Sequence, residues 1–443
     1  MKTRIALFLI LPAFLLAPSK SDSQPASLVL AHVTVIDVTG GPPKPDMTVV
    51  IKGDRISEIE EAGKFVATPG ATVVDASGKF LIPGLWDMHV HWYNRDTFTL
   101  FTANGVTGVR QMSGTSDLLR WRQDFAKNIA KGSLPGTRMI VASPIIDGPR
   151  PIWPNSIAVS NEDEGRKAVR DVKKSGADFV KVYSLLPRDA YFAIADEAKR
   201  QGLSFAGHVP SSVSPAEASD AGQKSIEHLT GMRPRARAMA LETYDDSKAA
   251  ELFASFVKNE TWQCPTLTVL RTHAYLGDEN FRRDQRLKFI PPPVKERWGQ
   301  RIANRNEGNV ANAKKVFQKE LEIVGAMRKA GVQLLAGTDT GNPFCFPGFS
   351  LHEELALLVI AGLTPVEALR SATLNPAKFL GLDNTLGTIE RGKIADLVLL
   401  DANPLEDVRN TQKINAVISN GRLFDRKALN KMLAEAEAAT NRR

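Results

Sequence analysis

The chain has 443 residues, 43% apolar and 24% charged, the balance of a globular protein. That excludes a disordered chain, a collagen-like fibre and a disulfide scaffold, and two cysteines cannot build a disulfide framework or a cysteine zinc cluster. The net charge of +8 is modest for the length. Its densest basic patches, Arg233, Arg235 and Arg237, then Arg282, Arg283, Arg286 and Lys288, lack aromatic interleaving and a nucleic-acid fold signature. They read as solvated faces, with no nucleic-acid partner expected.

Residues 1–24 read as a signal peptide. Lys2 and Arg4 precede an apolar stretch from Ile5 to Ala17, too short for a spanning helix, and small polar residues follow. The expectation is export to a periplasm or beyond, with no membrane contact in the mature form. There Cys264 and Cys345 either pair or stay as two buried thiols.

Residues 25–82 carry β-branched, partly alternating segments such as LVLAHVTVIDV and MTVVIKGDRISEIE. Residues 387–428 do the same with GKIADLVLLD and INAVISNGRLFD. The simplest reading is one small β-sandwich built from both chain ends, followed by a charged helix or tail at 429–443. Between them, residues 83–386 alternate apolar strands with helical stretches. Eight strands are predicted: GLWDMHVH, VTGVRQM, RMIVASPII, DFVKVY, LSFAGHV, KSIEHL, WQCPTLTVL and VQLLAGTD. The fold class expected is α/β, a (β/α)8 TIM barrel with the small sandwich attached. A mostly helical, basic insert at about 270–331 separates the last two strands.

In such barrels the chemistry lies at the C-terminal strand ends. His89 and His91 end the first predicted strand and, two apart, share a face. His208 ends the fifth, His228 the sixth and Asp339 the eighth. Four imidazoles and a carboxylate on one mouth form a ligand set for zinc or another divalent first-row metal. A lone histidine at a strand end is ordinarily packed or hydrogen-bonded; five candidates at the same end are harder to explain so. Lys181 interrupts an apolar fourth strand, where an uncompensated ammonium is costly. Either it pairs with Asp178 or Asp147, or its amine reacts with CO2 to form an anionic carbamate that bridges two metals. Tyr183 shares its inward face. Arg110, at the end of the second strand, either fixes a substrate carboxylate or oxyanion or serves a structural ion pair. His273 and His352 are further candidates for substrate contact, while His32 belongs to the sandwich. Loop 144–160, stiffened by Pro149, Pro151 and Pro154, is expected to line the mouth.

Pro-Gly-Leu-Trp-Asp-Met-His-Val-His, the strand-four lysine, Gly-His-Val, Glu-His-Leu and Gly-Thr-Asp-Thr resemble the amidohydrolase superfamily over essentially the whole mature chain. His-Glu-Glu-Leu from 352, Ala-Thr-Leu-Asn-Pro-Ala from 372 and Gly-Lys-Ile-Ala-Asp-Leu-Val from 392 are similar to the branch with imidazolonepropionase-like proteins, Xaa-Pro dipeptidases, metallo-carboxypeptidases and ochratoxin-hydrolysing amidases. The resemblance implies two divalent ions, zinc, bridged by a carboxylated Lys181. His89, His91 and Asp339 would hold the more buried ion, His208 and His228 the more exposed one. Asp339, Tyr183 and His228 are then the catalytic candidates, and Tyr183, Arg110, His273 and His352 the substrate-binding ones. The function expected is hydrolysis of the amide of a dipeptide or N-acyl amino acid, with a homo-oligomer as a possible assembly. The competing reading within enzymes is a mononuclear deaminase or cyclic-amide hydrolase. A binding protein that lost its chemistry should lack ligands, and here each is present.

Overall fold

The computed structural model describes residues 27–64, 69–130, 136–232, 246–303 and 310–441. The predicted signal peptide and the patch at Arg233, Arg235 and Arg237 lie outside the described residues.

Both chain ends build one eight-stranded sheet. The strand Leu28–Val35 pairs antiparallel with Lys44–Lys52, which pairs with Arg55–Glu61. On its other edge it runs parallel to Thr72–Asp75 and Phe80–Pro83. The C-terminal half joins there: Leu397–Leu400 lies antiparallel to Phe80–Pro83, with Leu397 opposite Pro83. Ile414–Ser419 and Arg422–Phe424 complete the path. Alternation divides the labour of these strands. Leu81, Leu397, Leu399 and Ile418 join Leu30, Val49 and Ile56 in a core belonging to the sheet. Ile82, Val398, Leu400 and Val417 face the other way, into the large core of the central region. The terminal helix Arg426–Thr440, capped by the Asp425 carboxylate on Ala428 N, buries Leu429, Met432 and Ala436.

The central region is a parallel barrel covered by helices. Leu85–Val90, Val106–Gln111 and Arg138–Val141 pair in order. The bridge Ala142–Phe179 leads to Val180–Val182, then to Phe205–Gly207, Ser225–Glu227 and Trp262–Cys264. The eighth position is irregular but closes the ring. Leu335 N donates to Gln263 O at 2.9 Å, and Met88 N to Ala336 O at 2.9 Å. The bridge from Val90 to Thr340 finishes the circuit.

The seventh strand is shorter than its sequence suggested. It stops at Cys264, Thr266 takes a left-handed φ of 51°, and Leu267–Tyr275 is a helix. The β-branched run PTLTVL favours a strand locally, but a distant carboxylate overrides it. Glu354 accepts from Leu267 N, Thr268 N and Thr268 Oγ1 at 2.9, 2.6 and 2.8 Å, capping the helix start. The insert that follows is mostly helical, as expected, with Pro292–Ala303 and Val310–Lys329 its main elements.

Candidate metal centre and active site

The mouth of the barrel gathers the residues singled out by motif. His89 Nε2 lies 3.5 Å from Asp339 Oδ1, His91 Nε2 3.4 Å from the same oxygen, and His228 Nε2 3.9 Å from Asp339 Oδ2. The rings of His208 and His228 stand 4.9 Å apart, and those of His89 and His228 4.4 Å. Residues from the ends of three strands and from the irregular eighth position therefore gather in one space.

The outer side of three of the four rings is firmly anchored. His89 Nδ1 contacts Glu227 Oε2 at 2.8 Å, His208 Nδ1 contacts Ser184 Oγ at 2.8 Å, and His228 Nδ1 contacts Thr266 Oγ1 at 2.6 Å. An oxygen partner on Nδ1 orients an imidazole and fixes which nitrogen is left for a ligand. His228 and Asp339 also hold left-handed φ values of 58° and 59°, a strained conformation for residues with a Cβ. Asp87 supports His89 and the segment that carries Asp339. Its buried carboxylate accepts from His89 N, Thr338 N and Thr338 Oγ1, tying the first barrel strand to the eighth.

Lys181 is fully buried beside this cluster, and its Nζ has no hydrogen-bond partner among the described residues. The pairing alternatives fail: Asp178 is engaged by Arg122 and Val141 N, and Asp147 accepts from Ile152 N and Leu185 N. Gly207, on the neighbouring strand at φ 139°, makes the room. A Cβ there would stand 2.1 Å from Val182 O and 3.1 Å from Lys181 Cδ. Burial pushes the Lys181 amine below its ordinary range and the Asp339 carboxyl above its own. Burial, then the charge of Lys181, brings His91 down to about 3.

The donor set tests well for a divalent cation. The ligand atoms of His89, His228 and Asp339 lie within 4.8 Å of one another, all three residues buried. His89 Nε2, like Lys181 Nζ, is a buried polar atom without a hydrogen-bond partner among the described residues. Imidazoles held neutral, a carboxylate and an unsatisfied amine in one buried space are what such an ion requires. The atoms of His89, Glu227 and Cys264 also come within 4.8 Å. That group is committed otherwise: Glu227 is neutralised by Arg110, and burial raises the Cys264 thiol.

Two substrate-binding expectations are corrected. Arg110 is fully buried and faces the barrel interior. It donates to Met88 O, Ser225 Oγ and Glu227 Oε1 at 2.6, 2.9 and 2.9 Å, so each of its three nitrogens is engaged inside the protein and Arg110 serves the structural ion pair. His352 is 1% exposed, with Nδ1 on Thr411 Oγ1 at 2.9 Å and Nε2 on Asn104 O at 3.1 Å. It ties the helix Phe349–Ile360 to the segments that flank it. His273 sits half-buried on the helix Leu267–Tyr275, and its contact with substrate stays an expectation. His32 pairs with Asp46 in the terminal sheet. Cys264 and Cys345 are free buried thiols.

Tyr183 does stand at the mouth. Its ring stacks on His208 at 3.9 Å, and its hydroxyl accepts from Trp153 Nε1 at 2.7 Å. Burial pushes it up to about 12, so the phenol keeps its proton. Sequence reasoning missed Glu227, Asp87 and Trp153 as parts of the site. Glu227 was visible as the neighbour of His228, and Asp87 as the acid two residues before His89. Trp153 carried no motif beyond its place in the proline-rich loop.

A profile of the amidohydrolase family matches residues 80–424. Ochratoxinase from Aspergillus niger is 28% identical over 407 residues, covering 78% of this chain and 75% of that one. A putative prolidase from Bifidobacterium longum superposes with a TM-score of 0.71 at 25% identity, covering 93% and 99%. Bottromycin amidohydrolase superposes with a TM-score of 0.75 at 24% identity, covering 94% and 91%, which speaks for the fold. With a match of that extent, on a closed barrel with its histidines at the mouth, the chain belongs to the amidohydrolase family.

Proposed function

We propose that this chain is an exported, metal-dependent hydrolase that cleaves the amide bond of a dipeptide or N-acyl amino acid. The observation that carries the reading is the convergence of three histidine Nε2 atoms on Asp339, within 3.4 to 3.9 Å, beside the unpartnered Lys181 amine. His89, His91 and Asp339 would hold the inner cation and His208 and His228 the outer one, with Lys181 as the carbamate between them. When bound, a pair of zinc ions would supply a hydroxide near neutral pH and polarise the scissile carbonyl.

The chain's own groups do the remaining work. A buried lysine whose amine is easily neutral is nucleophilic: its nitrogen bonds to the carbon of CO2 and releases one proton. Asp339, with its carboxyl raised by burial, is suited to take the proton of the attacking water and return it to the departing amine. His228, packed between the His89 and His208 rings, places its Nε2 against Asp339 and closes that side of the centre. Tyr183, its oxygen already accepting from Trp153, has its own proton to offer to a substrate oxygen.

The test is metal content together with turnover. Purified protein is assayed on Xaa-Pro, Xaa-Lys and N-acyl amino acids, with and without chelator, as wild type and Lys181→Ala. Two metals per chain, lost with Lys181 and required for hydrolysis, are expected. No turnover of any amide, ester or lactone by zinc-loaded protein overturns the reading. One metal, undisturbed in Lys181→Ala, points instead to mononuclear deaminase or cyclic-amide chemistry.

A further inference from the structure

Among the described residues seven large apolar side chains are exposed. Val73, Val257 and Ile360 are scattered over the sheet and two outer helices. The other four, Tyr93 at 47%, Ile152 at 50%, Trp153 at 43% and Leu185 at 44%, all belong to segments that leave the barrel at the histidine cluster. Tyr93 is two residues beyond His91, and its hydroxyl donates to Ser113 O at 3.1 Å. Trp153 donates to Tyr183, whose ring covers His208. Ile152 and Leu185 are clamped together, because their amides share one carboxylate. Asp147 accepts from Ile152 N at 3.1 Å and from Leu185 N at 2.7 Å.

This clustering has a physical reading. Single exposed apolar residues are ordinary, but a group of them gathered around one opening marks a binding surface. Here Asp147 holds the backbone of Ile152 and Leu185, and hydrogen bonds hold the Tyr93 and Trp153 side chains, so their exposure is built in. Gly148 adds to the same point: a Cβ there would stand 2.1 Å from Leu185 O, so the loop is pressed onto the Leu185 segment. A preformed apolar wall with a few aimed polar groups is the usual make-up of a small-molecule site.

We infer that Tyr93, Ile152, Trp153 and Leu185 form an apolar rim that selects amides carrying an aromatic or large aliphatic group beside the scissile bond. The inference rests on the amide-hydrolase reading for its substrate, but the rim can be tested without turnover. Trp153 is the only one of six tryptophans that is exposed; Trp86, Trp92, Trp121, Trp262 and Trp298 are at most 9% exposed. Collisional quenching of tryptophan fluorescence by acrylamide therefore reports on the rim.

Two measurements decide the inference. The first compares quenching of the intact protein with N-benzoyl and N-acetyl derivatives of glycine, proline, phenylalanine and lysine. At least one benzoyl compound, or the benzoate it releases, should shield Trp153, and its acetyl counterpart should not. The second is the ratio of kcat/KM for a benzoyl over the matching acetyl substrate. That ratio should fall about tenfold in Trp153→Ala, mostly through KM, the loss expected when part of a buried aromatic contact is removed. Trp153→Phe should keep most of the selectivity, since the ring and not the Nε1 hydrogen bond provides the surface. Ile360→Ala, far from the mouth, should leave the ratio unchanged. Shielding without hydrolysis supports the rim and refutes the amide-hydrolase reading. Hydrolysis with unshielded Trp153, or an equal ratio in Trp153→Ala, refutes the rim and leaves the amide-hydrolase reading intact.

Discussion

The buried pair Arg110–Glu227 offers a sharp test of how the site is held. Both side chains are at most 1% exposed, and Arg110 Nη2 meets Glu227 Oε1 at 2.9 Å. Glu227 also accepts from Ser225 Oγ and contacts His89 Nδ1 through its other oxygen. Removing one member of such a pair strands the other charge in the interior, which costs about 3–5 kcal/mol. Removing both replaces two desolvated charges with apolar contact and is often close to neutral. Here Arg110 also donates to Met88 O, so the double change gives up about 1 kcal/mol more for that carbonyl. Arg110→Met and Glu227→Leu should therefore each lower stability by about 3 kcal/mol or more. Arg110→Met/Glu227→Leu should recover at least about 2 kcal/mol relative to the sum of the single changes. Denaturant midpoints of the three variants and wild type, taken as a double-mutant cycle, measure this. Single losses under about 1 kcal/mol, or strict additivity, would refute the claim that these charges neutralise one another under His89.

Three further outcomes follow from other parts of the fold. His352 is buried with its imidazole pushed down to about 4 by burial, against 6.5 for a free histidine. It binds its proton more readily in the unfolded chain, so its contribution is full above about pH 6.5 and is lost as pH falls towards about 4, a change of about 3 kcal/mol. Urea midpoints across that range should converge for wild type and His352→Gln at low pH; parallel curves would contradict it. Glu354→Ala orphans three donors at the start of the helix Leu267–Tyr275 and should cost about 3 kcal/mol or more, while a loss under about 1 kcal/mol in the same assay would sink the capping role. Gly207→Ala puts a Cβ against Val182 O and Lys181 at a φ that side chains rarely adopt, so purified protein should carry less metal and melt lower. Normal metal content in that variant would mean that Lys181 is not held by this approach.

The sequence carried the barrel because its signals are local. Apolar runs ending in His89, His208, His228 or Asp339 are short, bounded and repeated; the first three became strand ends, and the Asp339 run, though irregular, closes the ring. What failed was set at long range. Leu267–Leu270 looked like strand because nothing near it in sequence announces the Glu354 carboxylate, 86 positions away from Thr268, that caps it as a helix start. Arg110 stayed open between a substrate contact and a structural ion pair because its partner Glu227 is 117 positions away. His352 lay in a motif run, but both its nitrogens turn to Thr411 and Asn104, which no spacing reveals. Lys181 was legible for the opposite reason. A charge in an apolar strand is a local contradiction, and the structure leaves it without a hydrogen-bond partner among the described residues.

The account stands on cations held between Asp339, the four histidines and Lys181. Mass spectrometry of metals in the purified protein, wild type against Lys181→Ala, weighs it most directly. It predicts close to two zinc equivalents in the first and a clear loss in the second, without loss of the folded barrel by circular dichroism. Metal-free wild-type protein that binds no added zinc at micromolar concentration would contradict it outright.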